Sequence, residues 1–266
     1  MTAARDHKGH FNIDVVNGIL ARVYLTMEDW TNAISHAQAA RANYPLMSGT
    51  AWVDEGFYDV GNAEWIWGQN NNLEENPDWG SAINLLDPDG AEFPFTIADT
   101  LTAAYSATDV RGMDITTDAD GKNWNYKITT FGRYEADYPL MRSAEMYLIE
   151  AEAMAKNANE TGAQDALYAI QLRADPNAVK STNTGQSLID EILWEKRKEF
   201  WGEGVIFWDM LRNQQPLVRD ANHTAKLFLP SNSWEFIFPI PEQEFLINEN
   251  LDLATDQNPA TGVYKP

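Results

Sequence analysis

Residues 12–45, "NIDVVNGILARVYLTMEDWTNAISHAQAARANYP", constrain the fold more than any other stretch. Val16, Ile19, Leu20, Val23 and Tyr24 recur at three- and four-residue spacing, the period of a helix with one apolar face. "MEDW" interrupts the pattern, with Asp29 placed to cap a second helix. Ala33, Ile34, Ala37 and Ala40 line one face of that helix, and Pro45 ends it. Small residues let the two helices pack closely, but one such hairpin cannot bury its own face and needs neighbours.

Counted back from Pro45, the set Leu20, Ala21, Tyr24, Ala33, Ala37, Ala40 resembles the 34-residue tetratricopeptide repeat. Residues 139–174 predict a second hairpin, with Met141, Ala144, Leu148, Ala151 and Ala155 as one stripe. Met146, Ile149 and Ala153 widen that stripe, so this helix is buried on more than one side. "KNANETG" is the turn, and Ala163, Leu167 and Ile170 line the return helix. Between the hairpins, "GNAEWIWGQN" reads as a short strand entering an irregular loop. "DITTDADGKNWNYKITT" predicts a β-hairpin turning at Asp120–Gly121, with strand residues near 124–130. Two helical pieces over 188–212 are separated by Gly202 and Gly204, and a short helix is expected at 242–247 after the extended "FIFPIP". The expected class is mainly α: tetratricopeptide-like helical hairpins with irregular loops and a few short strands.

Net charge is −21, from 40 acids and 19 bases, so polyanions are repelled and nucleic acid and anionic lipid headgroups are poor partners. The chain has no cysteine, which excludes disulfides and zinc–thiolate sites. No stretch is apolar and long enough to span a membrane as a helix.

Residues 195–212, "EKRKEFWGEGVIFWDMLR", mix charge with large aromatics. On a helix over 188–201, Leu188, Ile192 and Phe200 share a stripe with Lys196, and Ile189, Leu193 and Trp201 share one with Arg197. A buried unpaired cation costs several kcal/mol, so Arg197 is expected to be buried against a carboxylate, with Glu150, Glu203 and Asp209 as candidates. The aromatics Phe200, Trp201, Phe207 and Trp208 are expected in the core, against the 141–155 helix and "FIFPIP". An internal ion-pair network that fixes helix docking accounts for the stretch better than an acid/base catalytic cluster, since no His or Ser is at hand.

The ordered motifs then resemble the C-terminal half of the SusD/RagB family. They are Arg-x-Ala-Glu at Arg142–Glu145, Ala-Glu-Ala at Ala151–Ala153, Glu-x-Arg-x-Glu at Glu195–Glu199 and Glu-Gly…Asp-x-x-Arg at Glu203–Arg212. Pro-Ile-Pro at Pro239–Pro241 and Gln-Asn-Pro at Gln257–Pro259 complete the set. The resemblance covers 139–266, and the middle loops do not match at residue level. It implies a single domain over 1–266, with a helical hairpin at 12–45, a variable loop region at 46–138 and the family core at 139–266. It also implies a surface-exposed glycan-binding lipoprotein of the outer membrane, which delivers oligosaccharide or polysaccharide to a TonB-dependent SusC-like transporter. The family's signal peptide, lipidated Cys and additional N-terminal repeats are missing from the sequence, so the chain is expected to be an N-terminally truncated copy, with membrane contact only through the absent lipid anchor.

No cofactor or transition-metal site is expected, because the four His lack a metal-ligand spacing. Asp114, Asp118 and Asp120 faintly resemble a calcium loop, but an Asp-Gly hairpin turn explains them better. No nucleophile elbow or phosphate loop is present, so an enzyme is not expected. Sugar recognition needs a flat aromatic face with amides or carboxylates beside it. The loop "WIWGQNNNLEENPDWG" offers Trp79 as a stacking platform with Asn70, Asn71 and Asp78 as hydrogen-bonding groups. Trp124 and Tyr126 on the β-hairpin come next. The alternatives are a repeat groove that grips a peptide without sugar, and a glycosidase.

Overall fold

The computed structural model describes residues 4–54, 56–72, 74, 86, 95–125, 127, 136–219 and 228–258. They fall into two compact units, Met1–Ile206 and Phe207–Pro266. The first contains α1 (Ile13–Thr26), α2 (Trp30–Arg41), α3 (Gly49–Asp54), β1 (Trp65–Gln69), α4 (Asp99–Thr102), β2 (Ile115–Thr117), β3 (Asn123–Asn125), β4 (Tyr138–Arg142), α5 (Ser143–Lys156), α6 (Glu160–Ala174) and α7 (Gly185–Glu199). The fold is mainly α, with three two-stranded sheets among the described residues.

Short polar side chains start α1, α2 and α6. Asn12 accepts the Val15 N–H, Asp29 the Asn32 N–H and Asn159 the Gly162 N–H. The stack centres on α5, which touches α2 on one side and α6 and α7 on the other. Met146, Ile149 and Ala153 of α5 share a core with Val15, Ala21 and Leu25 of α1 and Ala33, Ala37 and Ala40 of α2. Ala144, Leu148 and Ala151 face the opposite way, against Ala163, Leu167 and Ile170 of α6 and Leu188 and Ile192 of α7. Methyl-sized contacts on both sides bring the helices close enough for this central helix to be buried all round.

Two expectations are corrected here. The α1 stripe read as core is turned partly outward: Val23 is exposed, and Val16 and Leu20 are only half-buried. Val15, Gly18, Ala21 and Leu25 face the core instead. The small face wins because Gly18 lies against Met141; a Cβ at that position would stand 2.1 Å from the Met141 sulfur. Residues 139–142, read as helix, form β4, which pairs antiparallel with β1 from Trp65↔Arg142 to Gln69↔Tyr138. Helix begins only at Ser143. The β-hairpin at Asp120–Gly121 is present as β2–β3, and 126 and 128–130 lie outside the described residues.

In the second unit, a helix at Glu242–Ile247 stands where the sequence predicts one. The Gln257 amide accepts the Ile240 N–H and donates to the Ile240 carbonyl, and Asn258 donates to Phe238 O. The Gln-Asn motif therefore substitutes for a strand partner along the Pro-Ile-Pro segment, whose prolines cannot donate to a ladder. Phe207 packs edge-on against Phe236, with centroids 6.1 Å apart. Phe207 and Trp208 are exposed, contrary to their expected place in the core, because the helix Ile206–Arg212 buries Asp209 and Met210. Trp201 is half-buried, and Phe200 is buried as expected. Among the described residues no helix is long and apolar enough to cross a membrane.

Candidate functional site

The charged motifs converge inside the first unit. Arg142, at the end of β4, bonds Glu64 Oε1 at 2.5 Å, Glu203 Oε1 at 2.7 Å and Glu199 Oε1 at 3.2 Å. Glu199 also receives Arg173 and Arg111. Arg111 grips Asp109 through two nitrogens and reaches Glu195 at 2.6 Å. Lys127 meets Glu203 at 2.5 Å, and Lys198 borders Asp109 and Glu195. Arg111, Lys127, Arg142, Arg173 and Lys198 thus face Glu64, Asp109, Glu195, Glu199 and Glu203, so formal charge cancels within the cluster. Gly202 and Gly204, at φ 78° and 75°, turn the chain after α7 so that Glu203 folds back onto Arg142.

Aromatic faces enclose the cations. Lys127 Nζ lies 4.7 Å from the Trp52 centroid and 4.5 Å from that of Phe57, and the Arg173 guanidinium covers Trp52 at 4.5 Å. Arg142 stands 5.3 Å from Phe200, a fully buried ring. A desolvated cation over a ring gains up to ~2 kcal/mol, which explains why aromatics and charges share one stretch of sequence. Burial pushes the Glu199 carboxyl up, but Arg173, Arg142 and Arg111 outweigh it and hold the group far below the usual carboxylate range. For Lys127 burial wins, and the ammonium is pushed down to about 8.

The expected role of Arg197 is corrected. It is half-buried, its guanidinium lies 5.5 Å from the Trp194 ring, and it makes no ion pair with a described residue. The buried cation of α7 is Lys196, which reaches Glu152 at 2.7 Å on the same stripe as Leu188, Ile192 and Phe200. Two apolar stripes stood adjacent in the sequence, and the helix buries the one that meets α5. Glu150 is buried against Arg41, Glu203 against Arg142 and Lys127, and Asp209 pairs with Arg212 within its own helix. Sequence reasoning missed Glu64, Asp109, Arg111, Lys127 and Arg173. Glu64, Asp109, Arg111 and Lys127 are single charges outside the long helices, without a helical period to mark them. Arg173 stands in the last turn of α6, beside its apolar stripe rather than on it.

The binding candidates separate. Asn71 is buried: its amide donates to Ala136 O and accepts from Gln69, and its backbone N–H meets Asp137. Asn70 donates to the same Asp137 carboxylate. The Asn71 amide is used inside the fold, because a loop entering the core must satisfy its polar groups internally, whereas Asn70 is exposed beside its bond to Asp137. Trp65 is fully buried and Trp67 donates to Gly9 O. Asp78, Trp79 and Tyr126 lie outside the described residues.

Trp124 stands on β3 between buried Asn123 and Asn125, so alternation turns its ring to the outer face, where it is half-exposed. Its Nε1–H donates to Asp118 Oδ2 at 2.9 Å. Asp118 also accepts the N–H groups of Lys122 and Asp120; the Lys122 N–H foremost, then the Trp124 bond, hold its carboxyl low, and it is spent on the turn rather than offered to a cation. Burial pushes the Asp114 carboxyl up to about 6, against the opposing charge of Lys127. Among the described residues no group of three His, Asp or Glu is placed to hold a metal. A separate open cleft of roughly 850 Å³ beside α3 is lined by Ser48, Thr50, Asp54, Asp59 and Asn62, with no aromatic ring among its described lining residues.

The sequence model of the SusD family matches residues 116–260. The match begins earlier than the resemblance read from motifs, and so takes in the β2–β3 hairpin. A SusD-like carbohydrate binding protein from Bacteroides vulgatus is 27% identical, over 93% of this chain and 60% of that one, with a TM-score of 0.80. A SusD superfamily protein from the same species is 25% identical, over 97% of this chain and 61% of that one, with a TM-score of 0.83. Surface glycan-binding protein A from Bacteroides thetaiotaomicron is 19% identical, over 97% of this chain and 66% of that one; its TM-score of 0.70 shows a common fold. The chain spans about 60% of the length of the first two structures. No curated protein matches the sequence.

Proposed function

The chain belongs to the SusD family, and from that premise we propose that it binds a neutral glycan at the bacterial surface, with the ring of Trp124 as its contact. One observation carries this reading: a half-exposed indole on the outer face of a small hairpin, its edge fixed by a hydrogen bond to Asp118. An indole held in one orientation stacks on the C–H face of a sugar ring with little entropy left to lose. A neutral ligand suits a chain at −21. Trp79 and Asp78 belong to the same proposal on sequence grounds, as an indole and a carboxylate in a Pro/Gly-rich loop. The proposal extends to an outer-membrane location and to delivery of the glycan to a TonB-dependent SusC-like transporter. Its chemistry is binding: Glu64, Asp109, Glu195, Glu199 and Glu203 are each held by cations, and paired carboxylates that hydrolyse a glycoside need a free acid and base.

Affinity electrophoresis of the chain in gels containing starch, xylan, mannan or mixed-linkage glucan tests the reading. Retardation by at least one polysaccharide, lost in Trp124→Ala with an unchanged melting temperature, is the expected result. Binding unaltered in Trp124→Ala and lost in Trp79→Ala moves the contact to the 69–80 loop, and release of reducing sugar would establish a glycosidase instead.

A further inference from the structure

The hairpin that carries Trp124 has three-residue strands, too short to be stable alone. One end is tied through Ile97 N–H to Asn123 O and Asn123 to Asp99. The other runs into Lys127. The Lys127 N–H bonds Asn125 Oδ1 at 2.9 Å, and its ammonium reaches Glu199 O at 2.8 Å, Glu203 Oε1 at 2.5 Å and Trp201 O at 3.4 Å. Three acceptors match the three ammonium protons, and the side chain is 3% exposed, so nothing of this cation is left for a ligand.

We propose that Lys127 is a positioning residue for the glycan platform: it anchors the β2–β3 hairpin, and with it the plane of Trp124, to the 199–203 turn. The inference rests on the reading of Trp124 as the sugar contact. With Lys127 in place the hairpin shares the rigidity of the buried ion network. Without it, the stacking orientation is one of several, and a ligand must select it at a cost in affinity. Arginine cannot substitute, since a planar fork does not direct protons at three acceptors around one nitrogen.

The test uses the polysaccharide that retards the unmodified chain. Lys127→Met is expected to weaken binding about ten-fold while Trp124 is still present, the factor for a platform correctly oriented a tenth of the time. The Trp124 indole N–H resonance is expected to lose the shift given by its bond to Asp118. Ile170→Ala in α6, a destabilised control remote from the hairpin, is expected to keep both affinity and resonance. Amide hydrogen exchange on the unmodified chain serves if Lys127→Met does not fold: amides of 115–125 are expected to open together with the last turn of α7. Wild-type affinity and resonance in Lys127→Met, or hairpin amides that exchange orders of magnitude faster than that turn, overturns the inference. Binding that survives Trp124→Ala instead overturns the reading beneath it.

Discussion

One helix, α5, is held by different physics at its side and at its start. Along its side, Met146, Ile149 and Ala153 meet the alanines of α2, and ion pairs lie at the edge, with Glu145 on Arg22 and Glu150 on Arg41. At its start, Arg142 is immersed in carboxylates. The first contact is a sum of small independent terms, each methyl worth a fraction of its neighbours' total. The second is all-or-none, because removing one ion strands the others without water.

Arg142→Leu is the largest expected break in this comparison. It leaves Glu64, Glu199 and Glu203 sharing too few cations and is expected to cost at least ~3–5 kcal/mol by chemical denaturation. A loss near 1 kcal/mol would place the network on a level with the apolar face. Ala37→Leu comes next: overpacking the α2 contact, where Ala37 is fully buried, is expected to cost about 1–3 kcal/mol.

Acid sharpens the contrast further. Glu199 titrates far below its unfolded value, so its stabilisation is present above the unfolded carboxylate pKa of about 4.3 and is lost as pH falls beneath it. The melting temperature is expected to start falling at about pH 5 and to go on falling below about pH 3, since the folded value lies far lower. Lys127 has the opposite consequence. Its folded pKa of about 8 lies below an unfolded value near 10.4, so the cost of burying its charge is present below 8 and is relieved as pH rises between the two. A small gain in melting temperature above pH 8, absent in Lys127→Met, checks that sign. The smallest effect is expected of Arg197→Ala, within about 0.5 kcal/mol, since among the described residues its guanidinium has no ion pair and lies over the half-exposed Trp194 ring.

The same contrast decides what was legible in the sequence. The helical stack was readable because Ala33, Ala37 and Ala40 recur at the helical period, and that period is itself the contact surface. Even there, the outward turn of Val16, Leu20 and Val23 was not, since it depends on Met141 from another element filling the space above Gly18. The network was half readable. The motif acids Glu195, Glu199 and Glu203 announced buried charge, but the cations they meet come from Arg111, Lys127 and Arg173, isolated positions that only the folded chain brings together. The choice of Arg197 over Lys196 failed because periodicity names two adjacent stripes and tertiary packing selects one. The burial of Asn71 was not legible because amides on a loop face water or the core with equal ease, and Asp137, which meets its backbone N–H, lies far along the chain.

A double-mutant cycle on Arg142 and Glu203 tests the central claim that this end of α5 is docked by mutually dependent charges. Arg142→Leu, Glu203→Leu and the double variant are compared by denaturation. The predicted result is a coupling energy of about 2–3 kcal/mol, the upper part of the range for residues within one network, with the double variant more stable than the sum of the singles requires. Additivity within about 0.5 kcal/mol would contradict it.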